Sequence, residues 1–127
     1  MQAGQSVLLS SKARIQGNVT VMPGGALDVE GARIEGVISA NKSTRVRMCG
    51  ASIEGSVIAS NGTGKLVIGE GTTGCRDNTI DGNLTVTGNA GGATVTHNKV
   101  SGNLTVTGNT GTVVDKPNTV EGTSTLQ

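Results

Sequence analysis

The chain contains no Phe, Tyr or Trp. A compact core for 127 residues ordinarily draws much of its buried area from aromatic rings. Whatever core forms here must therefore be built from small aliphatics. Charge is scarce in either sign: ten Lys and Arg against nine Asp and Glu leave +1, which argues against nucleic acid or another polyanion as a partner. No apolar run approaches the roughly 18 residues of a membrane span. Val7-Leu8-Leu9 is too short for a signal-peptide core, so a soluble chain is expected. His97 is the single histidine, too few for a His-rich metal cluster, and no metal or other cofactor is expected. What the chain does have is 29 Val, Leu and Ile, 17 Thr and 21 Gly. Low charge and abundant β-branched residues argue against disorder, leaving an all-β fold with a narrow interior.

One pattern, Ile/Val-x-Gly-x-aliphatic-x-aliphatic, recurs along the chain. It begins at Ile15, Ile34, Ile53, Ile80, Val100 and Val120, with spacings of 19, 19, 27, 20 and 20 residues. The last copy, from Val120, replaces the first aliphatic with Ser124. That period is too short for helical hairpin repeats, and the alternation by two within each copy indicates strands. A unit of this size cannot bury its own apolar face, whereas stacked units align each inward position with its neighbours. The expectation is a single-stranded, right-handed parallel β-helix (β-solenoid) of about six coils. Its inward columns are Ile15/Ile34/Ile53/Ile80/Val100/Val120, Val19/Ile38/Val57/Leu84/Leu104/Ser124 and Val21/Ala40/Ala59/Val86/Val106/Leu126. A second strand per coil is visible in Leu27/Val29, Val46/Met48, Leu66/Ile68, Ala93/Val95 and Val113. An interior this slim has no room for rings.

The glycine of each repeat falls inward by parity, at a corner or close backbone approach that excludes a Cβ. Two residues before each anchor the column reads Ala13, Ala32, Ala51, Asn78, Asn98, Asn118. Stacked asparagines can bond amide to amide along the axis. The chain thus divides into Ala-cornered coils (1–68), a Gly/Thr-rich insertion loop (69–79) and Asn-cornered coils (80–127). Cys49 and Cys75 precede their anchors by four and five residues, on adjacent coils about 4.8 Å apart. That is within reach of a disulfide at the base of the insertion, which would imply an oxidising compartment.

Two resemblances attach to these repeats. Ala-Arg-Ile-Glu-Gly-Val-Ile-Ser-Ala from Ala32 and Ala-Ser-Ile-Glu-Gly-Ser-Val-Ile-Ala from Ala51 resemble the coils of bactofilins, right-handed β-helices that polymerise end to end without nucleotide. Asn78-Thr-Ile-Asp-Gly-Asn-Leu-Thr-Val-Thr-Gly-Asn89, with its copies from Asn98 and Asn118, resembles repeats of secreted actinobacterial proteins of unassigned function. The first resemblance implies a cytoplasmic self-assembling rod, the second an extracellular or cell-surface protein. The cysteines, the insertion and the Thr/Asn richness favour the second.

Several residues invite a chemical reading. Glu35, Glu54 and Asp81 form an outward column able to support general acid/base work on a polysaccharide, or a Ca²⁺ site. In the competing reading, Arg14 and Arg33 pair with Glu35 and Glu54 on the next coil. Beside Cys75, His97 would suggest Cys-His catalysis, but no oxyanion hole accompanies it, and a solvated strand-end histidine is expected. Asn61-Gly-Thr-Gly-Lys65 lacks the spacing of a phosphate loop and the helix that must follow, so it is read as a turn. Thr85/Thr87 and Thr105/Thr107, with Thr20 and Thr125 in line and Thr94/Thr96 on another face, suggest an ice-binding array, interrupted at Met22, Ser39, Asn41, Ile58 and Ser60. Without aromatic platforms, glycan contact has little to stack on, and single-stranded nucleic acid loses its rings. The Asn-x-Ser/Thr triplets at Asn18, Asn41, Asn61, Asn83 and Asn103 follow from repeat composition. The ends remain: Val7 and Leu8 are expected inward on a partial first coil and Ser124 and Leu126 on the last strand, with uncovered edges able to stack on another copy or an adjoining segment. A non-catalytic structural or interaction module is the expected function, with a polysaccharide-acting enzyme and an ice-binding protein as alternatives.

Overall fold

The computed structural model describes residues 6–9, 13–69, 77–111, 113–114 and 118–126. It is an all-β parallel solenoid with no helix among the described residues. Three parallel six-stranded sheets run the length of the rod. The first holds β1 (Ser6–Leu9), β4 (Ala26–Glu30), β7 (Arg45–Cys49), β10 (Leu66–Ile68), β13 (Ala93–Val95) and β16 (Val113–Val114). The second holds β2 (Arg14–Ile15), β5 (Arg33–Ile34), β8 (Ser52–Ile53), β11 (Asn78–Ile80), β14 (Asn98–Val100) and β17 (Thr119–Val120). The third holds β3 (Val19–Val21), β6 (Ile38–Asn41), β9 (Val57–Ser60), β12 (Leu84–Thr87), β15 (Leu104–Thr107) and β18 (Ser124–Leu126). Six strands in a column are five rises apart, so the chain climbs about five turns where about six coils were expected.

Each coil has three strands, one more than the alternation alone reveals. The repeated motif spans a corner: its Ile or Val ends a strand of the second sheet, and its aliphatic pair lies in the third. The expected columns stack in register, with Ile34 on Ile53, Ile53 on Ile80 and Ile80 on Val100. Ile34, Ile38, Ile53, Ile80, Leu84 and Leu104 are each no more than 1% exposed. Complete burial of such a side chain stabilises by about 1.5–3 kcal/mol, and the stack makes one continuous core from Val21 to Val106.

The motif glycine does not point inward. Gly36, Gly55, Gly82 and Gly102 are half-buried at the corner, where Gly55, Gly82, Gly102 and Gly122 each donate an amide to the carbonyl of the glycine one coil back. A Cβ on Gly102 would lie 2.3 Å from Asn83 Oδ1 and 2.7 Å from the Gly82 carbonyl oxygen. Backbone stacked on backbone is what requires glycine there. The other two corners need left-handed backbone. One has Gly31, Gly50 and His97 at φ of 76, 65 and 57°, and the other has Lys42, Asn61, Gly88 and Gly108 at 57, 54, 64 and 65°. His97 therefore occupies a glycine slot, a conformation that histidine tolerates better than most residues.

The expected asparagine ladder is present and lies inside. Asn78 and Asn98 are 0% and 2% exposed. Asn78 Nδ2 donates to Asn98 Oδ1 at 2.9 Å and to the Met48 carbonyl at 3.0 Å. Asn98 Nδ2 repeats the pattern to Asn118 Oδ1 and the Ile68 carbonyl. A second internal ladder, not anticipated from the sequence, joins Asn89 to Asn109 at the corner between the third and first sheets, where Asn89 Nδ2 and its backbone amide both donate to Asn109 Oδ1. Of the supposed insertion, residues 70–76 lie outside the described residues, and Asn78 and Thr79 belong to β11.

Candidate functional site

Four groups of residues were candidates: the carboxylate column, the histidine and cysteines, the threonine ranks and the ends. The carboxylate column is largely engaged in ion pairs. Arg14 Nε donates to Glu35 Oε2 and Arg33 Nη2 to Glu54 Oε1, each across one coil. The hydrogen bond that Arg33 donates to Glu54, and then the charge of that carboxylate, hold the Arg33 guanidinium above its ordinary pKa. Asp81 is exposed, with no ion pair among the described residues. No three His, Cys, Asp or Glu side chains among the described residues gather into a metal-holding group. The first sheet carries a second charged ladder that sequence reasoning missed: Arg45 pairs with Asp28 at 3.2 Å, and Arg47 bridges Asp28 at 3.6 Å and Glu30 at 2.6 Å. The alternation of Arg45 and Arg47 with Val46 and Met48 was the available signal.

His97 is half-buried, and its Nδ1 is enclosed without a hydrogen-bond partner among the described residues. It lines a small cleft of about 150 Å³ with Asp77, Lys99 and Thr119, backed by Asn98 and Asn118. Cys49 is 4% exposed and packs against Val67, which is buried although it points away from the coil interior. No free cysteine occurs among the described residues. Cys75, and with it the suggested Cys-His pair, lies outside the described residues.

On the third sheet Thr20, Ser39, Ile58, Thr85, Thr105 and Thr125 stand in register, so Thr85, Thr105 and Thr125 form an unbroken run. Thr87 stacks on Thr107 beside it. Ile58, 41% exposed, ends the run. Thr96 is not on a face at all: it is 4% exposed and its hydroxyl donates to the Gly69 carbonyl.

At the ends, Leu8 faces outward opposite Asp28 and is 63% exposed, a correction to its expected inward position. Val7 is paired in register with the buried Leu27, and Leu126 with Val106. Ser124 is exposed. Leu9, Ile15 and Val19 at one end and Val113 and Val120 at the other are only partly covered. The backbone is polar along the axis. Val19, Ile38, Val57, Leu84 and Leu104 each send their amide to a carbonyl of the following coil. In that column Ser124 N–H points off the C-terminal end, and the Asn18 carbonyl faces off the N-terminal end. A neighbouring column runs the other way, with Glu35, Glu54, Asp81, Ser101 and Glu121 donating to the preceding coil. It leaves Gln16 N–H at the N-terminal end and the Val120 carbonyl at the C-terminal end. No family model, curated protein or solved structure matches the chain. The likeness to bactofilin coils and actinobacterial repeats therefore rests on the quoted motifs alone.

Proposed function

We propose that the chain is a non-catalytic structural module that elongates head to tail through its two ends. The observation that carries this reading is the complementarity of those ends. The Ser124 amide of one copy meets the Asn18 carbonyl of the next, and the Val120 carbonyl meets the Gln16 amide, so the second and third sheets continue across the junction. The partly covered Val113 and Val120 would pack on the partly covered Leu9, Ile15 and Val19. Such a contact is heterologous and does not close, so it yields filaments. The bactofilin-like motifs of the first half support the same reading, and a Cys49–Cys75 bridge would support an extracellular setting.

Proline tests the proposal, because it removes one amide and is tolerated on an edge strand. Sedimentation velocity across a concentration series, with electron microscopy, is expected to show lengthening rods for the wild type. Ser124→Pro should remain short while keeping its folded far-UV spectrum. Wild-type monomers at every concentration, or rods of equal length from Ser124→Pro, would sink the proposal.

One alternative has a specific observation in its favour. The run Thr85/Thr105/Thr125, with Thr87/Thr107 alongside, is a flat hydroxyl array of the kind an ice-binding face needs, and absence of thermal hysteresis would dispose of it. A polysaccharide-acting enzyme using Glu35, Glu54 and Asp81 would have to release two carboxylates from their arginines.

A further inference from the structure

Away from the ends, the corner leading into the first sheet holds a cleft of about 310 Å³, lined by Lys65, Gly91, Gly92, Ala93 and Thr94. We propose that this cleft binds a tetrahedral oxyanion, phosphate or sulfate, free or as an ester. Its polar lining is made of groups that can donate. Lys65 is exposed and has no ion pair among the described residues. Thr94 supplies a hydroxyl, and neither the Gly91 nor the Gly92 amide donates a hydrogen bond among the described residues. Gly92 turns through a φ of 89° directly after Gly91. A left-handed residue is one half of the αR–αL turn whose successive amides hold anions in backbone nests.

The paired glycines have a structural origin. A Cβ on Gly91 would sit 2.4 Å from the Gly64 carbonyl oxygen, so glycine is required for the coils to stack, and neither glycine brings a side chain of its own to the cleft. Among the described residues no carboxylate lines this cleft, whereas Asp77 lines the one beside His97. The nearest comparable cation, Arg45, stands one coil back from Lys65 and is already held by Asp28. Asn61-Gly-Thr-Gly-Lys65 is thus a turn, as expected, and it contributes its lysine to a site completed by the glycine turn of the next coil.

The test is an amide-resolved NMR titration of the whole chain with sodium phosphate and sodium sulfate, against sodium chloride at matched ionic strength. Saturable shifts are expected at Gly91, Gly92 and Thr94 with both oxyanions and not with chloride. Loss of a charge-assisted contact should weaken binding about ten-fold or more in Lys65→Ala and Lys65→Gln. Lys99→Ala, which alters the other cleft, should bind as the wild type does. Glucose 6-phosphate and glucose 6-sulfate then distinguish an ester ligand from a free ion, tighter binding than the inorganic ion marking the ester. Equal shifts with chloride, shifts that do not saturate, or unchanged affinity in both Lys65 variants would overturn the assignment.

Discussion

Replacing Asn98 with Ala should cost far more than truncating an exposed asparagine of the same stack. The side chain makes three hydrogen bonds in a site 2% exposed: it donates to the Ile68 carbonyl at 2.8 Å and Asn118 Oδ1 at 3.0 Å, and it accepts from Asn78 Nδ2 at 2.9 Å. At about 1 kcal/mol each, their loss amounts to about 3 kcal/mol. The partners left behind without water raise this to about 3–5 kcal/mol. Stability for a chain this long starts near 6 kcal/mol at the low end of the usual per-residue range, so the variant should approach its unfolding threshold. Asn103→Ala is the comparison: its exposed side-chain oxygen accepts only the Thr123 amide, at 2.9 Å, and its loss should cost about 1 kcal/mol or less. Equilibrium urea denaturation followed by circular dichroism measures both. Because solenoid coils are stabilised mainly by their neighbours, hydrogen exchange should also show protection falling first around Asn98 and spreading toward Leu126. A double-mutant cycle with Asn78→Ala should return about 1 kcal/mol of coupling for the shared bond. If Asn98→Ala proves no more destabilising than Asn103→Ala, the internal ladder is not an important source of stability and the reasoning fails.

Two further outcomes follow from backbone stacking and the cysteines. Gly102→Ala should destabilise by about 2 kcal/mol or more, because its Cβ meets backbone that cannot move aside, whereas Gly17→Ala, with nothing within 4 Å, should stay within about 0.5 kcal/mol of the wild type; similar melting temperatures for the two would contradict the close-approach argument. Intact mass under non-reducing conditions, with alkylation before and after reduction, should show no alkylatable thiol until reductant is added. Two thiols labelled at the outset would contradict a Cys49–Cys75 bridge.

The inward columns were legible because a parallel stack converts a one-dimensional period into neighbours. Once Ile34 and Ile53 share an offset, they must touch. The Arg14–Glu35 and Arg33–Glu54 pairs could be read off for the same reason. The Asp28/Arg45/Arg47/Glu30 ladder was equally periodic and went unread, because the arginines alternate with a strand whose copies vary in sequence. Asn89 and Asn109 also stand 20 residues apart, each after a Thr-Gly pair. Their short polar side chains look the same whether a corner turns them outward or inward.

The sequence by itself determined that the rod is a stack of equivalent coils with a ring-free interior, since repeat spacing and residue size are local properties that stacking only multiplies. Only the tertiary structure decided where each corner falls. That placement put the motif glycine half-exposed rather than inside, buried Thr96 at a corner, turned Leu8 outward, and seated His97 in a glycine's conformation. The physical reason is that corner geometry depends on backbone dihedrals and on contact with the coil behind, neither of which alternation by two encodes.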